Sequence, residues 1–239
     1  MRYALVLLAA LASATATAWA SDIDAASHLQ PRSDRYEVEW SGISLGEGTI
    51  SLAHDGEDCY HYVSRTDPIA LVRWTYGSPR EESRFCLRDG RLIPQHFRYI
   101  NDKREKDSFR LDFDWGSGQV KALRGGVMTV RDLPDVAYDR FVIREAVRLW
   151  VIRHVEGDGP AEREFVMVDD DRIKAYRFAI GGRETVETPA GTFETVRVDR
   201  VGDPKREAHY WLAPSRDYVP VKLEQLKKGK PELRMTLLR

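Results

Sequence analysis

Hydrophobic and polar residues alternate through most of the chain. The clearest case runs from Asp107 to Trp115, where Phe109, Leu111 and Phe113 share one face and charged residues occupy the other. Because successive side chains of a strand point to opposite faces, this period of two predicts strands with one buried face. Gly, Pro and Asp residues punctuate the runs at short intervals, which is typical of a meandering antiparallel sheet.

One long segment follows a helical period instead. Apolar residues recur at helical spacing within Arg140–His154, and Asp139 stands where an N-cap is needed. The arginines of this segment are expected on the wet side of the helix, with their stems along apolar surface. The predicted fold class is mainly β: a curved antiparallel sheet, either an open barrel or a sandwich, with one principal helix. Ile69–Tyr76 breaks the alternation and predicts a short helix or a bend.

Glycine and proline positions indicate where the sheet bends. Gly42, Gly46 and Gly48 would permit turns, close approach of strands and curvature. Pro220 lies inside a predicted strand, and proline cannot donate a ladder hydrogen bond. That strand is therefore expected at an edge of the sheet or at a bulge.

The N-terminus has the three parts of a secretory signal peptide. Arg2 supplies a positive charge, Ala4–Leu11 is apolar, and Ala18-Trp19-Ala20 has the small-x-small pattern of a cleavage site. We expect residues 1–20 to be removed after Ala20 and the protein to work in the periplasm. The apolar run is too short for a membrane anchor, and no other stretch predicts a transmembrane segment in the mature chain.

The remaining sequence divides into a polar leader at residues 21–34 and a single β-rich domain at residues 35–239. The formal net charge of −1 gives no electrostatic reason to expect nucleic acid as a partner.

Cys59 and Cys86 are the two cysteines. An exported chain meets an oxidising compartment, so we expect the pair to form a disulfide, the alternative being two free, buried thiols. A redox catalyst would more often carry C-x-x-C, which the sequence lacks.

No motif for catalysis, nucleotide binding or metal binding is present, so no catalytic residue, metal or cofactor is expected. His54 and His61, with Asp55 and Asp58 between them, do not fit a zinc spacing. His61, His96 and His209 lie in different predicted strands and are interpreted as unrelated histidines.

Several segments together resemble a family of exported Gram-negative proteins known only as a domain of unknown function, DUF 3108. They are YEVEWSGISLGEG at 36–48, ETPAGTFETV at 187–196, YWLAP at 210–214 and YVPVK at 218–222. The later segments are also similar to periplasmic lipoprotein-carrier-like proteins, in which an antiparallel half-barrel wraps around a helix and encloses an apolar cavity. The resemblance implies a fold and a compartment but no activity.

Three functional hypotheses remain. The leading one is a non-enzymatic protein that binds an apolar or lipid-like ligand in a pocket between the curved sheet and the helix. The second is an envelope scaffold with a filled core that binds an envelope protein partner, and the third is a hydrolase. Under the first hypothesis, large aromatic residues are expected to line the pocket: Trp40, Phe109, Phe113, Trp115, Trp150 and Trp211.

Overall fold

A computed structural model of the chain describes residues 23–157 and 159–239. The predicted signal peptide and its cleavage site after Ala20 lie outside the described residues.

The described chain is mainly β, with fourteen strands and two α-helices. The strands are β1 (Arg32–Trp40), β2 (Ile43–His54), β3 (Cys59–Pro68), β4 (Arg80–Arg88), β5 (Arg91–Ile100), β6 (Phe109–Asp114), β7 (Gln119–Arg124), β8 (Val127–Asp132), β9 (Glu162–Val168), β10 (Ile173–Thr188), β11 (Gly191–Val201), β12 (Arg206–Ala213), β13 (Val219–Lys227) and β14 (Lys230–Leu237). The helices are α1 (Ala70–Tyr76) and α2 (Val142–Glu156), with short 3-10 turns at Glu105–Asp107 and Pro214–Arg216.

All fourteen strands form one open antiparallel sheet. Its order is β8 to β1, then β14 down to β9, so the first strand pairs with the last and every other pair is a hairpin neighbour. Strands β8 and β9 are the two edges, and the segment that carries α2 joins them along the chain. The predicted curved antiparallel sheet with one principal helix is confirmed.

The sheet curves around α2. The Phe141 ring, just before the helix, meets Tyr62 of β3 with ring centroids 4.9 Å apart. Near the other end of the helix, Trp150 meets Phe165 of β9 at 5.8 Å. Ten of the fifteen residues of α2 are buried, because strands from both halves of the sheet face it. The prediction that the arginines of this helix face solvent is therefore wrong for Arg148, which is among the most buried residues of the helix.

Bulges occur near the positions where glycine and proline predicted bends. The β1–β2 register shifts after Val38, opposite Gly46. Gly46 has a φ of +125°, and a Cβ there would collide with the Asp67 carbonyl, so only glycine fits. Pro220 lies in a central strand, and the β12–β13 register shifts beside it, which confirms the bulge rather than the edge.

The polar leader is not a separate segment in its described part. Ala25 and Leu29 are buried in the hydrophobic core, and β1 already begins at Arg32. The polar composition of the leader concealed two apolar side chains that belong to the core.

The disulfide is present. Cys59 and Cys86 lie directly opposite each other in the β3–β4 pair and are joined. The expected short helix also forms, as α1. It buries none of its residues, and Trp74 is 76% exposed. Among the described residues, no helix is both long enough and apolar enough to span a membrane.

Asp139 caps α2 from inside the core. Its Oδ1 accepts hydrogen bonds from the backbone N–H groups of Phe141 and Val142 at 2.8 and 2.9 Å, and its Oδ2 accepts one from the Ser83 hydroxyl at 2.6 Å. Burial raises the pKa of Asp139 to about 6, although these hydrogen bonds act to lower it. The N-cap position of α2 is Phe141, two residues after the expected Asp139, and Asp139 supports the start of the helix through its side-chain hydrogen bonds.

We expect Asp139→Asn to stabilise the protein at pH 8, by up to roughly 3 kcal/mol, and the gain to shrink towards pH 4. An amide keeps the capping oxygen and removes a buried charge. Since the folded pKa of about 6 exceeds the ordinary 3.8, the charge opposes folding above pH 6, and this penalty fades as pH falls to 3.8. Urea unfolding at several pH values measures the difference.

Asp139→Ala is the matched control. It removes the cap as well as the charge and should lower stability relative to Asp139→Asn by about 1–2 kcal/mol at every pH. A gain in stability for Asp139→Asn that did not vary with pH would contradict the raised pKa of Asp139.

Candidate functional site

A cavity of about 70 Å³ lies between α2 and the sheet and is partly open to solvent. Strands β1–β3, β10 and β12–β14 contribute its walls together with α2. Tyr210, Leu223 and Met235 pair across three neighbouring strands, so they form one row of the wall. The remaining apolar lining is mostly aliphatic: Ile50, Ile143, Val147, Phe178, Leu212 and Val219.

A chain of alternating charges borders the cavity; its centre is buried and its two ends are partly exposed. Glu145 of α2 contacts Arg32 of β1 and also Arg148, whose Nε lies 3.0 Å from Glu145 Oε2. Three carboxylates and three arginines alternate, and a histidine ends the series. We call it the buried charge chain, in order Arg216, Asp34, Arg32, Glu145, Arg148, Asp217 and His28.

The buried charge chain explains how charged groups persist in the interior. Asp34, Glu145 and Arg148 are each at least 97% buried, and an isolated charge there would be strongly unfavourable. Burial acts to raise the pKa of Glu145, but Arg148 and Arg32 outweigh it and lower that pKa overall. Burial likewise acts to lower the pKa of Arg32, and Glu145 reverses the direction. Glu145 therefore remains ionised and holds the two arginines in place.

Arg144 stands apart from the buried charge chain. It lines the cavity, and its guanidinium lies 4.8 Å from the centroid of the Phe141 ring. No carboxylate of the described residues pairs with it. Arg144 shares the cavity lining with Tyr62 and Tyr210, and the Phe141 ring below its guanidinium meets the Tyr62 ring at 4.9 Å.

The hydroxyls of Tyr62 and Tyr210 also lack hydrogen-bond partners among the described residues, although both side chains line the cavity. Burial raises the pKa of Tyr62 to about 12 and raises that of Tyr210 as well, against the effect of Arg144. Both hydroxyls are thus protonated near neutral pH and can donate a hydrogen bond. By contrast, the Tyr36 hydroxyl donates to the Pro220 carbonyl at 2.9 Å.

None of the six aromatic residues expected to line the pocket contributes to this cavity. Trp40 is 46% exposed at the end of β1. Trp211 lies on the outer face of β12, where its Nε1 donates to Glu184 at 2.6 Å and Lys222 covers its ring. Trp40 and Trp211 therefore do not line the pocket, contrary to the prediction.

The other four aromatic residues fill the core elsewhere. Phe109 packs against Phe97. Phe113 stacks on Trp115, whose Nε1 donates to a backbone carbonyl. Trp150 is 1% exposed beside Phe165. These rings pack against neighbouring side chains, so they fill space and leave no cavity around themselves.

The alternation of inward and outward side chains in β1 already indicated part of the polar lining of the cavity. Arg32 and Asp34 share the inward parity of Tyr36, so alternation alone places them towards the interior. On α2, Glu145 and Arg148 are spaced as an ion pair one helical turn apart.

The histidines interpreted as unrelated occupy the outer face. His61 and His96 line one shallow surface groove, and His209 lies away from it, paired with Asp199 at 2.6 Å. Asp169, Asp170 and Asp171 form an acidic group, each paired with an arginine. Asp169 and Asp170 are largely buried against Arg140 and Arg124, whereas the Asp171–Arg172 pair is exposed.

Comparison with known proteins places residues 35–237 within a family model described as "Protein of unknown function (DUF3108)". Among curated proteins, none matches the chain. The family match confirms the resemblance seen in the sequence.

A solved structure with a similar fold is the β-barrel-like DUF1849 protein from Brucella abortus. The TM-score is 0.51 at 14% identity, covering 88% of this chain and 97% of that one. A structure described as an exported protein with a YmcC-like fold, from Bacteroides fragilis, gives a TM-score of 0.30 at 12% identity over 87% and 93% of the two chains. A structure described as a lipoprotein from Parabacteroides distasonis gives 0.27 at 14% identity over 89% and 97%.

Proposed function

This chain belongs to the DUF3108 family of proteins of unknown function, and on that premise we propose that it is an exported, non-enzymatic protein that binds an apolar or amphipathic molecule in the central cavity. The observation that carries the proposal is a partly open space in an otherwise packed core, with a lining that is mainly apolar and includes a few charged side chains. Concave sites with a mainly apolar lining and a few polar groups are the usual form of a small-molecule site.

The cavity volume limits the size of the ligand. About 70 Å³ is well below the roughly 300–1,000 Å³ that encloses a drug-sized molecule. A complete two-chain lipid does not fit this space. The ligand we propose is therefore a small amphiphile, or a single chain whose end enters the cavity while the rest lies in its opening.

Binding without chemistry is favoured by the positions of the reactive side chains. In the part of the chain that the structure describes, His96 and His209 pair with carboxylates on the outer face, away from the cavity. The cavity lining includes no serine, cysteine or histidine. The Cys59–Cys86 disulfide supports an oxidising compartment, and we place the protein in the periplasm.

We expect the purified protein to bind one straight-chain alkanol or alkanoate per chain. Each buried CH₂ contributes about 0.8 kcal/mol, so Kd should fall about fourfold per added carbon and level off when the cavity is full. Isothermal titration calorimetry over hexyl to dodecyl chains measures this series.

Two variants locate the site. Leu223→Trp places bulk in the cavity wall and should weaken binding at least about tenfold. Trp115→Phe alters an aromatic residue outside the lining and should leave Kd unchanged, although it removes a hydrogen bond to Pro94. If no chain length bound to the folded wild-type protein, the envelope scaffold with a filled core would replace this proposal.

A further inference from the structure

The charges around the cavity do not balance. Within the buried charge chain, three arginines face three carboxylates, so that network is neutral before His28 is counted. Arg144 adds one positive charge to the same lining and has no carboxylate partner in the described chain. The Phe141 face supports the guanidinium by a cation–π contact, which leaves its N–H donors free to bind a ligand.

Two further donors surround this cation. The side chains of Tyr62 and Tyr210 line the same cavity as Arg144, and their hydroxyls have no hydrogen-bond partner among the described residues. Neither hydroxyl is a buried unsatisfied atom, so both reach the open space of the cavity. A phenolic hydroxyl can donate as well as accept, so the guanidinium and both hydroxyls can donate to one anionic acceptor.

We infer that Arg144, Tyr62 and Tyr210 bind the carboxylate head of a single-chain amphiphile whose chain follows the aliphatic wall. This inference rests on the proposed function and specifies the class of ligand. A carboxylate offers two acceptor oxygens to the planar guanidinium and the hydroxyls. Its single negative charge neutralises the one unpaired cation, whereas a neutral head leaves the cation unmatched and a cationic head repels it.

Part of the apolar wall begins at one of these donors. Tyr210 is directly opposite Leu223, which is directly opposite Met235, so the chain of the ligand can run from Tyr210 across β12, β13 and β14.

The test compares decanoate, decanol and decyltrimethylammonium, each below its micelle concentration, by titration calorimetry. Wild-type protein should bind decanoate at least about tenfold more tightly than decanol, and the cation most weakly. Arg144→Gln should weaken decanoate about 10- to 100-fold while changing decanol less than about threefold. Tyr62→Phe and Tyr210→Phe should each weaken decanoate about 2- to 10-fold.

Arg144→Lys is the matched control, since it keeps the charge and loses the planar fork. It should retain more decanoate affinity than Arg144→Gln. Equal binding of decanoate and decanol, unchanged in Arg144→Gln, would overturn this inference and leave the proposed function standing. Failure of all three amphiphiles to bind folded wild-type protein would overturn both.

Discussion

Glu145→Gln is expected to lower the free energy of unfolding by about 3–5 kcal/mol. The substitution keeps the shape of the side chain but removes the charge that both Arg32 and Arg148 contact. Two arginines would then lie close together in the interior with fewer anions than cations. Equilibrium unfolding in urea at pH 7.5, with circular dichroism as the signal, measures the loss.

A double variant separates the loss of an ion pair from the loss of packing. Glu145→Met with Arg148→Met removes one charge of each sign and leaves Arg32 with Asp34 and Asp217 with His28. This double variant should be less destabilised than Glu145→Gln alone. Such a difference would show that the two side chains interact energetically. A loss of less than about 1 kcal/mol for Glu145→Gln would contradict the role given to the buried charge chain.

The lowered pKa of Glu145 also predicts how the stability of the protein depends on acid pH. The folded pKa of Glu145 is below the ordinary 4.5, so its stabilising contribution is present above pH 4.5 and is lost as pH falls through the folded value. Wild-type protein should therefore lose stability below pH 4.5 more steeply than Glu145→Gln.

Loss of the disulfide is the second large effect. Replacing Cys59 and Cys86 by alanine should lower the free energy of unfolding by about 3.5 kcal/mol, since 27 residues separate them and the unfolded chain regains the freedom of that loop. Chemical denaturation of the double variant measures the change.

Wild-type protein treated with a reducing agent is the control, because it loses the crosslink without losing side-chain volume. Its stability should fall by a similar amount. Labelling of two thiols in denatured, unreduced protein would show instead that the pair is not joined.

The strands were predictable because alternation is a local property. β6 lies within two residues of the expected limits, and α2 begins two residues after the expected start. β10 runs through Gly181 and Gly182 as one strand, because these glycines shift the register without ending the pairing.

The site was not predictable by the same means. Amphipathic patterning assumes that a helix has a solvent side, but a sheet that surrounds α2 removes it, and Arg148 must then pair with Glu145 and Asp217 in the interior. The positions of cavities depend on how side chains from distant strands interlock, which no local pattern encodes. Aromatic residues indicate large side-chain area but not its place: Phe109 and Trp150 fill the core, whereas Trp40 and Trp74 are exposed.

We propose that the interior of this protein holds one small amphiphile. Native mass spectrometry of protein isolated from the cell envelope without detergent tests it most directly, with Leu223→Trp prepared in parallel. We expect the wild-type spectrum to show one added small mass per chain, lost on organic extraction and replaced by decanoate when that is supplied, while the variant shows neither. Wild-type protein that carries no added mass and does not take up decanoate would contradict the claim.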